Sequence, residues 1–154
     1  MKRWIIFSII ALAIFSVDIA TKELIEKNIP YLGEIKITDF FNIVHVQNRG
    51  SIFGIFSGIK SQAFRIFMNI LSLSVLVVLI VSARMFSGFT FYVIAAMIGG
   101  AAGNVYERLT KGYVVDFLDF HIGGYHWPAF NVADSTITVG IIAIILHSLK
   151  SKKT

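Results

Sequence analysis

Long apolar runs separated by short polar stretches dominate the chain. Four of them, residues 4–22, 64–83, 88–107 and 130–149, are nearly free of charge in their interiors. Each is close to the roughly 20 residues an α-helix needs to cross the hydrocarbon core of a bilayer. The third run is rich in small residues: Ala95, Ala96, Gly99, Gly100, Ala101, Ala102 and Gly103. Small residues let helix backbones approach closely in lipid. A phosphate-cradling loop is not expected there, because no strand precedes these glycines and no Lys-Ser/Thr pair follows.

The pattern changes between the runs. Residues 21–27 read as an amphipathic continuation of the first helix, which Pro30 and Gly33 break. Residues 35–38 alternate, and residues 41–47 are rich in β-branched and aromatic types, so both read as strands. Residues 113–120 add a third strand, and 48–51 form a turn. The apolar Ile52, Phe53, Ile55 and Phe56 that follow have two compatible readings. They seat the loop on the bilayer, or they wall a groove for an apolar substrate. The expected fold is an all-α integral membrane protein, a single membrane-embedded domain over residues 1–154. It has four transmembrane helices, a small extracytoplasmic β-sheet, a long first outer loop at about 23–61 and a second at about 110–129.

Composition agrees with the bilayer. Hydrophobic residues make up 56% of the chain and charged residues 15%, against about 25% charged in globular domains. Mean hydropathy is +0.76. The first run resembles a signal peptide in having a basic start, but Asp18 and Lys22 close it and no clean small-x-small site follows, so it reads as a retained helix. Lys2 and Arg3, Arg84, and Lys150, Lys152 and Lys153 mark three short basic segments without a single acid. With four spans they share one side, which the positive-inside rule makes cytoplasmic. Both termini are then inside, and all nine acids lie in the outer half. The net charge of +5 sits at segment ends, which suits membrane lipid headgroups rather than nucleic acid. The chain has no cysteine, which excludes disulfides, a thiol nucleophile and thiolate metal sites.

The candidate chemistry lies in residues 112–135, where Asp116, Asp119 and Asp134 stand among apolar and aromatic neighbours. Taken alone, Asp134 suits a helix cap: Asn131 would be the N-cap and Asp134 the third helical residue. A lone acid such as Asp116 in an apolar strand is more often paired than catalytic. Two carboxylates held together share one proton, so that one acts as general base on water and the other as acid. Asp119 remains an alternative to Asp116 on spacing alone. Such a site needs no cofactor and no metal. His45, His121, His126 and His147 lack any standard ligand spacing, so no metal is expected, with a site among His121, His126 and the acids as the minor alternative. Asn104 and Arg108 share a helix face, and Arg108 reads first as an ion-pair partner of Asp119 or Glu107, with a substrate carbonyl or lipid headgroup as the alternative. Asp18 and Lys22, four apart, read as a salt bridge at the membrane edge, with substrate contact as the sharper alternative. The competing reading of the whole chain is a non-enzymatic small membrane protein, a proton-coupled carrier or assembly subunit, since membrane acids often mark ion paths. A carrier needs polar residues through its midplane, and the second and fourth runs show only isolated Ser, Thr and Asn there, which argues against it.

Five segments in order resemble the bacterial lipoprotein signal peptidase, signal peptidase II: 18–22 (DIATK), 48–54 (NRGSIFG), 99–108 (GGAAGNVYER), 114–117 (VVDF) and 128–135 (PAFNVADS). The resemblance implies an aspartic endopeptidase of the inner membrane that cuts a prolipoprotein just before a diacylglyceryl-modified cysteine. It puts the catalytic aspartates on Asp116 and Asp134. It puts substrate-binding or supporting roles on Asn48, Gly50, Asn104, Arg108, Asn131 and Ala133, with Asp18 and Lys22 near the outer end of the first helix. Globomycin-type inhibitors are expected to occupy the dyad. Glu107 departs from the pattern, standing where the family usually has Asp; the extra methylene gives it a different reach.

Overall fold

The structure, a computed structural model, describes residues 1–50 and 62–151. The expectations for Ile52, Phe53, Ile55 and Phe56, and for Lys152 and Lys153, lie outside the described residues. Four helices carry the chain: α1 (Lys2–Asn28), α2 (Gln62–Ala83), α3 (Gly88–Thr110) and α4 (Val132–Ser151). Each is long and apolar enough to cross a membrane. Their outward faces keep residues such as Ile9, Leu12, Ile70, Val78, Ile142 and Leu146 exposed, as lipid-facing helices do.

The expected spans hold to within a few residues. The amphipathic continuation is not a separate piece, since α1 runs unbroken to Asn28. Ile29 then turns to an extended conformation (φ −122°, ψ 121°), as a residue before proline does. Over half of the apolar stretch of α3 is buried (56%), against 11% for each other helix, so α3 is the central post. The others pack around it, and the small residues explain how closely. A Cβ on Gly99 would stand 2.3 Å from the Ala11 carbonyl oxygen of α1, and one on Gly100 would stand 3.0 Å from the Ala133 backbone of α4. Near the opposite end of α3, Phe7, Ala83, Phe91, Ile94 and Ala95 form a buried apolar cluster.

The loops supply the antiparallel strands β1 (Glu34–Lys36), β2 (Phe41–Asn48), β3 (Val114–Ile122) and β4 (Tyr125–His126), in the order β1-β2-β3-β4. The first three match the sequence reading. Between β2 and β3 the register shifts from Ile43↔Leu118 to Val46↔Asp116. An irregularity of this kind re-aims side chains next to it. The short β4 is too brief for a sequence pattern, and the tight Gly123-Gly124 turn, with φ of +56° and +87°, makes it.

Candidate active site

Asp134 arrives through the start of α4. Asn131 precedes the helix, and its side-chain oxygen accepts the Asp134 backbone N–H at 3.0 Å. The Asn131 backbone N–H points back at Asp134 Oδ2 at 3.4 Å. This is the reciprocal cap expected from the spacing. The same Asn131 side chain is buried, and its Nδ2 donates to Asp116 Oδ1 at 2.7 Å. One asparagine therefore joins the end of α4 to strand β3, and so Asp134 to Asp116. Asn48, at the end of β2, donates to the other Asp116 oxygen at 2.9 Å. The N–H of Gly50, at a φ of +121°, in turn fixes the Asn48 side-chain oxygen at 2.9 Å.

Asn104 of α3 serves Asp134. Its Nδ2 donates to Asp134 Oδ1 at 2.8 Å, and its Oδ1 accepts from Lys22 Nζ at 2.8 Å. Lys22 is fully buried and also pairs with Asp18 at 2.7 Å and Glu107 at 3.3 Å. Asp18 accepts the backbone N–H of Ala133 at 2.9 Å, which ties α1 to the first turn of α4. Gly103 is the gap that admits the Asp18 carboxylate, since a Cβ there would lie 2.2 Å from Oδ2.

Burial pushes the Asp116 carboxyl up to about 7, and the neighbouring charge of Asp134 adds to the shift. Hydrogen bonds from Asn48 and Asn131, and the charge of Lys22, work against it without winning. A buried carboxyl beside a second one, in a frame of amide donors, keeps its proton near neutral pH.

The structure thus gathers Asp116, Asp134, Asn48, Gly50, Asn104, Asn131, Asp18, Lys22 and Ala133 into one connected network. Asp119 is elsewhere. Its carboxylate meets Nδ1 of His126 at 2.9 Å and lies 3.5 Å from Asn42 Nδ2, so it does not replace Asp116. Arg108 departs from its expected pairing. Among the described residues it forms no ion pair with Asp119 or Glu107, and its Nε is buried without a hydrogen-bond partner. It lies within electrostatic reach of Asp116 and Asp134, and it lines a cavity of about 230 Å³ with Arg49, Arg65, Asn69 and Gly112. The acids it was expected to meet have other partners: Glu107 faces Lys22 and Lys111 (2.9 Å) and accepts the Val115 N–H at 3.0 Å, and Asp119 faces His126.

The fully buried Glu107 hub is the feature the sequence reading missed. Its one available signal was the i,i+4 spacing to Lys111. Lys111 also pairs with Glu26, which accepts the Tyr113 hydroxyl at 3.0 Å, so the hub continues to α1.

Known proteins resemble this chain over nearly its whole length. Residues 10–150 match the family model described as Signal peptidase (SPase) II. A lipoprotein signal peptidase of Francisella tularensis subsp. novicida (strain U112) is 40% identical over 150 residues, covering 96% of this chain and 93% of the relative. One of Oleidesulfovibrio alaskensis is 38% identical over 153 residues, covering 97% and 98%. A bacterial membrane enzyme structure obtained by the in meso method at 1.9 Å superposes with a TM-score of 0.75 at 33% identity, covering 92% of this chain and 91% of its own. A second, at 2.3 Å, gives 0.75 at 30% identity, covering 94% and 87%. With its four spans, its cross-linked carboxylates and these matches over nearly its full length, this chain belongs to the signal peptidase II family of membrane peptidases.

Proposed function

We propose that this protein is an aspartic endopeptidase that removes signal peptides from prolipoproteins, cutting before a cysteine that carries diacylglycerol. The observation that carries the reading is Asn131, which holds Asp116 through its amide and Asp134 through the helix cap. The pair needs one proton between them. Asp116 keeps it, with its carboxyl at about 7, while the N-terminus of α4 favours negative charge on Asp134. Asp134 then takes a proton from the attacking water, and Asp116 donates to the carbonyl oxygen as water adds. On collapse of the tetrahedral species Asp134 gives its proton to the leaving amine, Asp116 takes one back from the diol hydroxyl as the carbonyl re-forms, and the dyad is restored. Water and two carboxyls supply every atom and proton of the step.

The remaining residues support this pair. Asn48, steadied by Gly50, aims Asp116; Asn104, steadied by Lys22, aims Asp134. Arg108, with its buried unpartnered Nε, is the cation available to a substrate carbonyl. Membrane lipids surround the spans, and globomycin-type inhibitors would block the dyad. The basic ends put both termini in the cytoplasm and the dyad near the outer face of the inner membrane.

The test is incubation of the purified protein with a diacylglyceryl-modified prolipoprotein beside the unmodified precursor. The modified one alone should be cut, on the amino side of the cysteine. Asp116→Asn and Asp134→Asn should each lower the rate at least about 100-fold while the protein stays folded and inserted. Retained cleavage in either variant removes that residue from the mechanism.

A further inference from the structure

Towards the hairpin end of β3, three side chains capable of binding metal meet outside the Asp116–Asp134 network. His121 and His126 face each other across the β3–β4 hairpin. Asp119 precedes His121 by two, so both project from the same side of the strand. The imidazoles stack with centroids 4.7 Å apart and planes at 21°. Asp119 Oδ2 is 2.9 Å from His126 Nδ1 and 3.6 Å from His121 Nδ1. One ligand atom from each of the three residues lies within 4.8 Å of the others.

Hydrogen bonding alone leaves this cluster unfinished. His126 takes the Asp119 carboxylate, and His121 Nδ1 stays buried without a hydrogen-bond partner. Asp119 is itself buried, with the Asn42 amide as a weak third contact at 3.5 Å. A cation in line with the Nδ1 lone pairs, reached by turning the rings out of their stacked arrangement, completes both nitrogens and neutralises the carboxylate. Donor atoms around a tetrahedral ion with bonds of about 2.0–2.2 Å stand roughly 3.4 Å apart, against 2.9 Å and 3.6 Å from the Asp119 carboxylate to the two imidazoles here. Asn42 then plays the supporting part that fixes a ligating carboxylate. Two imidazoles and one carboxylate suit zinc rather than magnesium or calcium, which prefer oxygen.

We propose that Asp119, His121 and His126 bind a zinc-class divalent ion that clamps the tip of the sheet. The clamp sets the rim of the adjoining apolar groove, which Phe40, Phe120, Ile122, Tyr125, Trp127 and Phe130 line. The ion takes no part in cleavage, and the inference does not rest on the proposed peptidase chemistry.

The test is isothermal titration of tag-free, full-length protein in detergent with zinc chloride, and in parallel with magnesium chloride. One zinc per chain should bind with a dissociation constant in the micromolar range or below, and magnesium should give no saturable heat. His121→Gln and His126→Gln should each weaken zinc binding at least about tenfold, while Asp116→Asn leaves it unchanged. As a check free of substitutions, zinc should slow amide hydrogen exchange in the β3–β4 hairpin of the wild-type chain. The absence of one-to-one binding, wild-type affinity in His121→Gln, or unaltered hairpin exchange would each overturn the proposal.

Discussion

Replacing Lys22 by Met should destabilise the protein severely, and the size of the loss follows from what the lysine leaves behind. Lys22 is fully buried and neutralises Asp18 at 2.7 Å and Glu107 at 3.3 Å. Glu107 keeps Lys111 at 2.9 Å and the Val115 N–H at 3.0 Å, so its loss is cushioned. Asp18 keeps only the Ala133 N–H at 2.9 Å. Breaking a buried pair from one side costs about 3–5 kcal/mol, because the stranded charge has nowhere to go. For a chain of this length that corresponds to a fall in Tm of about 6–20 °C. Adding Asp18→Asn removes the stranded charge. Its amide oxygen still accepts from Ala133, and the unmatched buried NH₂ costs about 1–3 kcal/mol. Thermal unfolding in detergent should therefore rank wild type above the double variant and the double above Lys22→Met. Cleavage should stay low in both variants, because Asn104 loses the ammonium that orients it towards Asp134. A double variant less stable than Lys22→Met, or a single variant within about 1 kcal/mol of wild type, would refute the reasoning.

Cleavage should fall as pH rises through about 7, because Asp116 then loses the proton the pair must share; kcat/KM that stays flat between about pH 6 and 9 would contradict this. The same raised carboxyl makes folding stability fall as pH rises from about 3.8, where the unfolded carboxyl ionises, to about 7, above which the contribution is gone. Melting curves of Asp116→Asn should lack that slope. Gly99→Ala should cost about 1–3 kcal/mol, because its new methyl meets the Ala11 carbonyl oxygen at 2.3 Å and neither helix backbone can yield; unchanged melting would mean that α1 and α3 separate freely. Asn131→Ala should lose about 1 kcal/mol as a cap but far more in cleavage rate, and an assay showing proportionate loss of both would reduce Asn131 to a structural role.

The spans, the first three strands and the cap of α4 were all legible in the sequence because each rests on local pattern. Hydropathy marks a helix that faces lipid, alternation marks a half-covered strand, and Asn131 with Asp134 shows its cap in four residues. Charge partners were legible only when close in sequence, as for Asp18 and Lys22; the distant ones were not. Arg108 has two acids within reach in the sequence, yet among the described residues it pairs with neither: Glu107 faces Lys22 and Lys111, and Asp119 faces His126. Lys22 is 85 positions from Glu107, and no spacing rule spans that distance. The two-residue β4 was likewise invisible, and with it the meeting of His121 and His126 across the hairpin. Only folding brings such groups together, by burial and by a tight glycine turn.

Glu107 grips Val115 through its backbone, and Asp116 is the next residue along the chain. The place of the Asp116 carboxyl relative to the helices is thus tied to α1 and α3, which carry Lys22 and Glu107. If a thicker or thinner bilayer tilts these two helices, Asp116 rides with them. On the proposed mechanism, the depth of cleavage is then a built-in ruler, referenced to the helices rather than to the surrounding lipid.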